Sequence, residues 1–129
     1  MDQRVSFKVY YEDTDSLGVV YYANYLKYME RGRSEFLAAH ALDVAELNRR
    51  GYLMVVHSLN MTYRKPARLW DTVDVVSSFT LDSRYRGYFH QKIFRGEDLL
   101  TDAKVGVVCT DPDGQLVSLP PQVQVLAGS

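Results

Sequence analysis

The sequence predicts an α+β domain, an antiparallel sheet packed against one long helix. Three observations predict it. After a first strand-like stretch, apolar residues change to helical spacing from about Tyr22 to His40. From residue 52 onward the chain reads as four or five strands separated by turn formers. The links between those strands are short, which favours antiparallel neighbours. The helix then has one place to bury its apolar stripe, the concave face of the sheet.

Residues 4–11, RVSFKVYY, alternate loosely and are rich in β-branched and aromatic types, so they predict a first strand. EDTDSLG breaks that pattern with turn formers and Gly18. In the long helix Tyr22, Tyr25, Leu26, Met29, Phe36 and Leu37 share one face, with Lys27, Glu30, Arg31 and Glu35 elsewhere. Gly32 interrupts this face. A mid-helix glycine costs ~1 kcal/mol against alanine, so its expected use is close approach to the sheet. Asp43 with Glu46 three residues on has the form of a capping box for a short second helix ending near Gly51.

The strands that follow are 52–63, 72–82, 87–96 and 99–110, then the short QLVSL, with the tail QVQVL expected to add a last edge. In 72–82, Val73, Val75, Phe79 and Leu81 face one way, and Asp74, Ser78, Thr80 and Asp82 the other. One helix cannot cover the edges of such a sheet. Exposed edges invite association, so a homo-oligomer is expected.

Size and composition narrow the functional classes. At 129 residues the chain holds one core and one domain, 1–129. Apolar residues are 47% and charged residues 24%, an ordinary globular balance. No apolar run approaches the ~20 residues of a membrane span. A net charge of −1 supplies no basic field for nucleic acid. MDQRVSFKV lacks a secretory apolar core, and the single cysteine, Cys109, fits a reducing compartment, so a cytoplasmic location is expected. Cys109 reads as a strand thiol. His40, His57 and His90 are far apart and lack metal-ligand spacing, so no metal is expected.

Three acids, Glu12, Asp13 and Asp15, crowd the turn before the long helix, where one would suffice. The stretch YYEDTDSLGVVYYANYLKYMERGRSEFL resembles the signature of the hotdog-fold thioesterases of the 4-hydroxybenzoyl-CoA thioesterase type. Its nearest likeness is to their Tol-Pal-associated acyl-CoA thioesterase branch. The carriers are Asp15 before Gly18, the following VVYYANY and the ER-R-E continuation; YRKPARLWDTVDV (63–75), with Asp71, resembles the family's second block. The resemblance implies hydrolysis of an acyl-CoA or acyl-carrier-protein thioester to acid and thiol, with no cofactor. It also implies a site shared across a homodimer, often within a homotetramer. By the same resemblance Asp15 is the catalytic carboxylate, as nucleophile or general base, and the Tyr22 backbone N–H polarises the carbonyl. The Tol-Pal-associated branch usually has histidine at the Tyr22 position, so the acyl preference stays open.

The chemistry suits such parts. A helix N-terminus offers free N–H groups where an oxyanion develops, and a preceding carboxylate can attack the carbonyl or activate water. Candidate substrate contacts are Gly18, Asn24 and Tyr25 at the helix start, and His57 in an apolar strand. Arg64, with Lys65 and Arg68, and Arg86, with Arg84, are candidate cations for CoA phosphates. The plainer readings make Asp15 a turn or cap residue, Asp13 an Asx-turn former or orienter, and the cations solvated surface. A hydratase or dehydratase on the same fold, or a non-enzymatic CoA-binding scaffold, are the competing functions.

Overall fold

The computed structural model describes residues 2–128. Its elements in chain order are β1 (Gln3–Lys8), α1 (Tyr25–Ala39), α2 (Val44–Arg49), β2 (Leu53–Tyr63), β3 (Thr72–Leu81), β4 (Arg86–Arg95), β5 (Asp98–Thr110), β6 (Leu116–Val117) and α3 (Pro121–Gln124). The sheet order is β1-β3-β4-β5-β2, antiparallel at every pairing. β6 adds two residues beside Cys109 and Thr110, where β4 has ended. This is the expected α+β hotdog architecture, one long helix wrapped by a six-stranded sheet.

Helix and sheet meet closely because of one residue. A Cβ on Gly32 would lie 2.7 Å from Val75 Cγ1, 3.0 Å from Gln91 Nε2 and 3.2 Å from Ser77 Oγ. Only a bare backbone permits this approach, and the buried amide of Gln91 exploits it. Its Nε2 donates to the Met29 carbonyl at 2.9 Å and to Ser77 Oγ at 2.9 Å. Its Oε1 accepts from Arg33 at 2.9 Å. The buried Gln91 amide is thereby satisfied, as a packed interior requires. Around them Met29, Phe36, Val73, Val75, Phe89 and Ile93 form the centre of the core.

Several expectations need correction. β1 stops at Lys8, because Tyr11–Asp13 is a 3-10 turn that begins the acidic loop. Tyr22 and Leu26 are exposed, at 63% and 41%, while Tyr28 is fully buried in their stead. The 3-10 turn Tyr22–Asn24 precedes α1 and shifts the buried face by part of a turn. In β3, Leu81 lies beyond the covered part of the sheet and is exposed, whereas Ser77 is buried opposite Gln91. At α2, Asp43 caps the Ala45 N–H, but Glu46 binds Arg49 and Arg50 rather than reaching back. The tail is no strand. Pro121 sits at the first helical position of α3, and Val123 and Leu126, three apart, enter the core.

Gly32→Ala is expected to destabilise the fold by about 1–3 kcal/mol, since overpacking outweighs the helix propensity gained. Urea denaturation reads this directly; a variant as stable as wild type would mean that the helix–sheet contact can slide.

Candidate active site

The acidic loop is a tight hairpin. Thr14 bridges Val20, the Asp15 N–H donates to Val19 O at 2.9 Å, and the Gly18 N–H closes the turn on Asp15 O at 3.1 Å. Gly18 adopts φ +78°, a left-handed conformation that glycine tolerates without strain. Asp15 Oδ1 accepts the Leu17 N–H at 2.8 Å, an Asx turn. Its Oδ2 has no partner among the described residues, and the side chain is partly exposed.

Asp13 works differently. It is 9% exposed, and its carboxylate accepts the Tyr10 N–H at 2.9 Å and the Asn24 amide at 3.0 Å. Its carbonyl accepts the Tyr21 N–H at 3.0 Å. Asp13 therefore orients the loop against the helix start. The Tyr28 hydroxyl is buried beside this pair with no hydrogen bond of good geometry among the described residues. Burial first, and the Asp13 carboxylate next, hold that hydroxyl protonated well above the usual tyrosine range.

At the helix start the N–H groups of Tyr22 and Ala23 meet no acceptor among the described residues. They are the orphan donors of a helix N-terminus, with its partial positive charge. A cavity of about 240 Å³ opens beside Tyr22, lined by Val20, Tyr22, Tyr25, Tyr63, Arg64 and Pro66 with Lys65. The Tyr63 ring meets Tyr25 at 5.4 Å and Tyr22 at 6.3 Å, and its hydroxyl donates to the Tyr22 carbonyl at 2.9 Å. Burial raises the Tyr25 hydroxyl, so it stays protonated at neutral pH; it accepts the Ala67 N–H at 3.0 Å. Its own proton remains free to donate.

The second sequence block frames the first. Val20 N–H donates to Ala67 O at 2.8 Å, Val19 bridges Arg68, and Leu69 N–H donates to Gly18 O at 3.3 Å. Asp71 locks that segment, accepting the Arg68 N–H and the Arg95 guanidinium, each at 2.8 Å. Burial pushes the Asp71 carboxyl up, but these bonds outweigh it and hold it below the usual carboxylate range. The tie therefore stabilises the fold above the unfolded pKa of about 4 and is lost as pH falls through the lower folded value.

Tyr22, Tyr25 and Arg64 thus line one cavity at the helix start, while Asp15 and Gly18 sit in the hairpin that precedes it and are not part of that lining. Asn24 is adjacent, but its amide faces Asp13. His57 and Arg86 lie elsewhere within the chain, together lining a cavity with Asp82, Tyr85 and Leu116. Arg86 is bound there to Asp82 at 2.7 Å, and His57 occupies a register shift in β2. Sequence reasoning missed Tyr63, whose only signal was an aromatic closing a strand just before RKP.

Comparison with known proteins identifies the family. The Thioesterase-like superfamily matches over residues 9–126. The chain belongs to this superfamily. The acyl-CoA thioester hydrolase YbgC of Escherichia coli O6:H1 is 40% identical over 106 residues, 81% of this chain and 79% of that protein. YbgC of Haemophilus influenzae is 35% identical over 114 residues, covering 86% and 84%. These relatives place the chain in the Tol-Pal-associated branch. Among solved structures, the 1,4-dihydroxy-2-naphthoyl-CoA thioesterase of Synechocystis superposes with TM-score 0.93 at 22% identity, over 100% of this chain and 97% of that one. That likeness carries the fold. A probable thioesterase from Bartonella henselae gives TM-score 0.88 at 30% identity, over 93% and 100%.

Removing each carboxylate separates the two aspartates. Asp13→Ala strands the buried Asn24 amide and the part-buried Tyr10 N–H and is expected to cost about 1–3 kcal/mol, whereas Asp15→Ala loses one exposed turn bond and costs about 1 kcal/mol or less. Thermal or urea unfolding checks the order, and equal losses would contradict it.

Proposed function

We propose that this family member hydrolyses an acyl-CoA thioester to free acid and CoA, with Asp15 and the Tyr22 N–H as its working parts. The observation that carries the proposal is the pair of unpartnered N–H groups at Tyr22 and Ala23 beside a hairpin whose aspartate keeps one oxygen free. The names of the YbgC relatives support the same substrate class. A thioester carbonyl seated at the helix end would have its developing oxyanion met by the Tyr22 N–H. Asp15 would then act in one of two ways. Its Oδ2 attacks the carbonyl carbon, the C–S bond breaks to release CoA thiolate, and water hydrolyses the mixed anhydride. Otherwise Oδ2 takes a proton from water as that water attacks. A thiolate leaves readily, so neither route needs a metal or cofactor.

The cavity walled by Tyr22, Tyr25 and Tyr63 is the proposed acyl site. Its aromatic walls suit an apolar or planar acyl group, and the Tyr25 hydroxyl can meet a polar substituent. Arg64, already bound to Asp102 at 3.4 Å, and Lys65 rim its mouth. The same parts would accept an acyl-carrier-protein thioester, since the reacting bond is identical. The cytoplasm, where CoA thioesters are made and Cys109 stays reduced, is the proposed location.

The assembly is proposed to be a homodimer or homotetramer. β2 is an outer strand eleven residues long, with Val55, Val56 and Leu59 each more than 40% exposed. A long apolar edge of this kind favours pairing with a second copy.

Thiol release from a panel of short, long and aromatic acyl-CoAs, followed with a thiol-reactive dye, tests the activity. Turnover of at least one, unchanged by a chelator, is expected; inactivity across the panel and on an acyl-carrier protein would favour the scaffold reading. Light scattering is expected to give at least a dimer, and Leu59→Glu to weaken it. A wild-type monomer at micromolar concentration would overturn the assembly.

A further inference from the structure

Trp70 is strained and exposed at once. It has φ +70°, a left-handed conformation that a bulky side chain adopts only at a cost. Yet 60% of its surface is open, so burial does not repay that cost. The backbone turn itself is fixed by the Trp70 N–H donating to Val9 O at 3.0 Å, a bond that glycine would make equally well. The fold therefore needs the turn but not the indole.

The surroundings show what the indole could take. Tyr10 stands edge-on to it at 6.2 Å, and the Lys8 ammonium lies 5.4 Å from the ring centroid. Lys8 has no ion pair among the described residues, and neither does the exposed Arg68, two positions before the ring. The segment also points somewhere. Pro66 borders the proposed acyl cavity, Ala67 pairs with Val20, Arg68 with Val19, Leu69 with Gly18, and Trp70 with Val9. The chain thus leads from the cavity at Pro66 to a turn at Leu69 and Trp70, closed by the Asp71 N–H donating to Arg68 O at 3.0 Å, which presents the indole.

We propose that Trp70, with Tyr10, Lys8 and Arg68, is the platform for the adenine nucleotide of CoA. The purine stacks on the indole, the two cations serve its phosphates, and the pantetheine arm runs along residues 66–70 toward the helix end. Stacking on an aromatic face is sequence-tolerant and strong enough to matter for affinity. The proposal rests on the reading that the chain takes a CoA thioester.

Trp70 is the single tryptophan, so its own fluorescence reports the event. Wild-type protein is titrated with CoA, ADP and pantetheine. Quenching by CoA and ADP but not by pantetheine is expected, and equal quenching by pantetheine overturns the platform. Trp70→Gly, which relieves the strained φ, is expected to raise KM for acyl-CoA about tenfold with kcat unchanged. KM for the matching acyl-pantetheine should not move. An unaltered KM for acyl-CoA overturns the proposal, as does dissociation of the oligomer in this variant, which would assign the indole to a subunit contact. Should the variant fail to fold, the wild-type titration decides alone. Hydrolysis without nucleotide quenching removes the platform and leaves the thioesterase reading standing; quenching without hydrolysis does the reverse.

Discussion

The contact between Gly32 and the sheet governs the rest of this structure. With no Cβ on the helix, Gln91 reaches the Met29 carbonyl and ties α1 to β3 and β4 through Ser77. The tie fixes the depth at which the helix sits, and hence where its N-terminal turn emerges. The Tyr22 N–H proposed to meet the oxyanion sits on that turn. A helix riding farther from the sheet would carry the Tyr22 N–H away from the hairpin that holds Asp15.

A second constraint acts on the hairpin. Its own bonds close the turn, but the segment 66–71 sets its position, pairing with Gly18, Val19 and Val20 and locked by Asp71 and Arg95. Asp13 completes the frame from beneath, joining the end of β1 to the helix start. The three acids thus divide their work. Asp13 is buried and structural, Asp15 keeps an oxygen free at the surface, and Glu12 lies exposed in the first turn. The same frame holds both the hairpin, where Asp15 keeps one oxygen free, and the helix start, where the Tyr22 and Ala23 N–H groups meet no acceptor among the described residues.

Much of this was legible in the sequence because it follows local rules. The change from helical to alternating spacing gave the element order, and Gly32 on an apolar helical face announced a close approach that the structure contains. The errors arise where tertiary contacts outrank local pattern. QVQVL alternates like a strand, yet Pro121 starts a helix and the core accepts Val123 and Leu126 on one side of it. Tyr28 was invisible because a 3-10 turn rotates the start of the helix relative to the spacing counted from Tyr22. Tyr63 and the frame role of residues 66–71 depend on pairings more than forty positions away, for which no local signal exists. His57 and Arg86 share a cavity with each other rather than with Asp15, a grouping set by the β2–β5–β4 register.

The central claim is that Asp15 acts on the thioester while Asp13 holds the frame. Single-turnover hydrolysis of a good acyl-CoA substrate by Asp15→Asn tests it most directly, because the amide keeps the Leu17 turn bond but loses the charged oxygen. The account predicts a loss of at least ~100-fold in the chemical step, with folding and CoA affinity near wild type. An Asp15→Asn enzyme that turns over at close to the wild-type rate would contradict it.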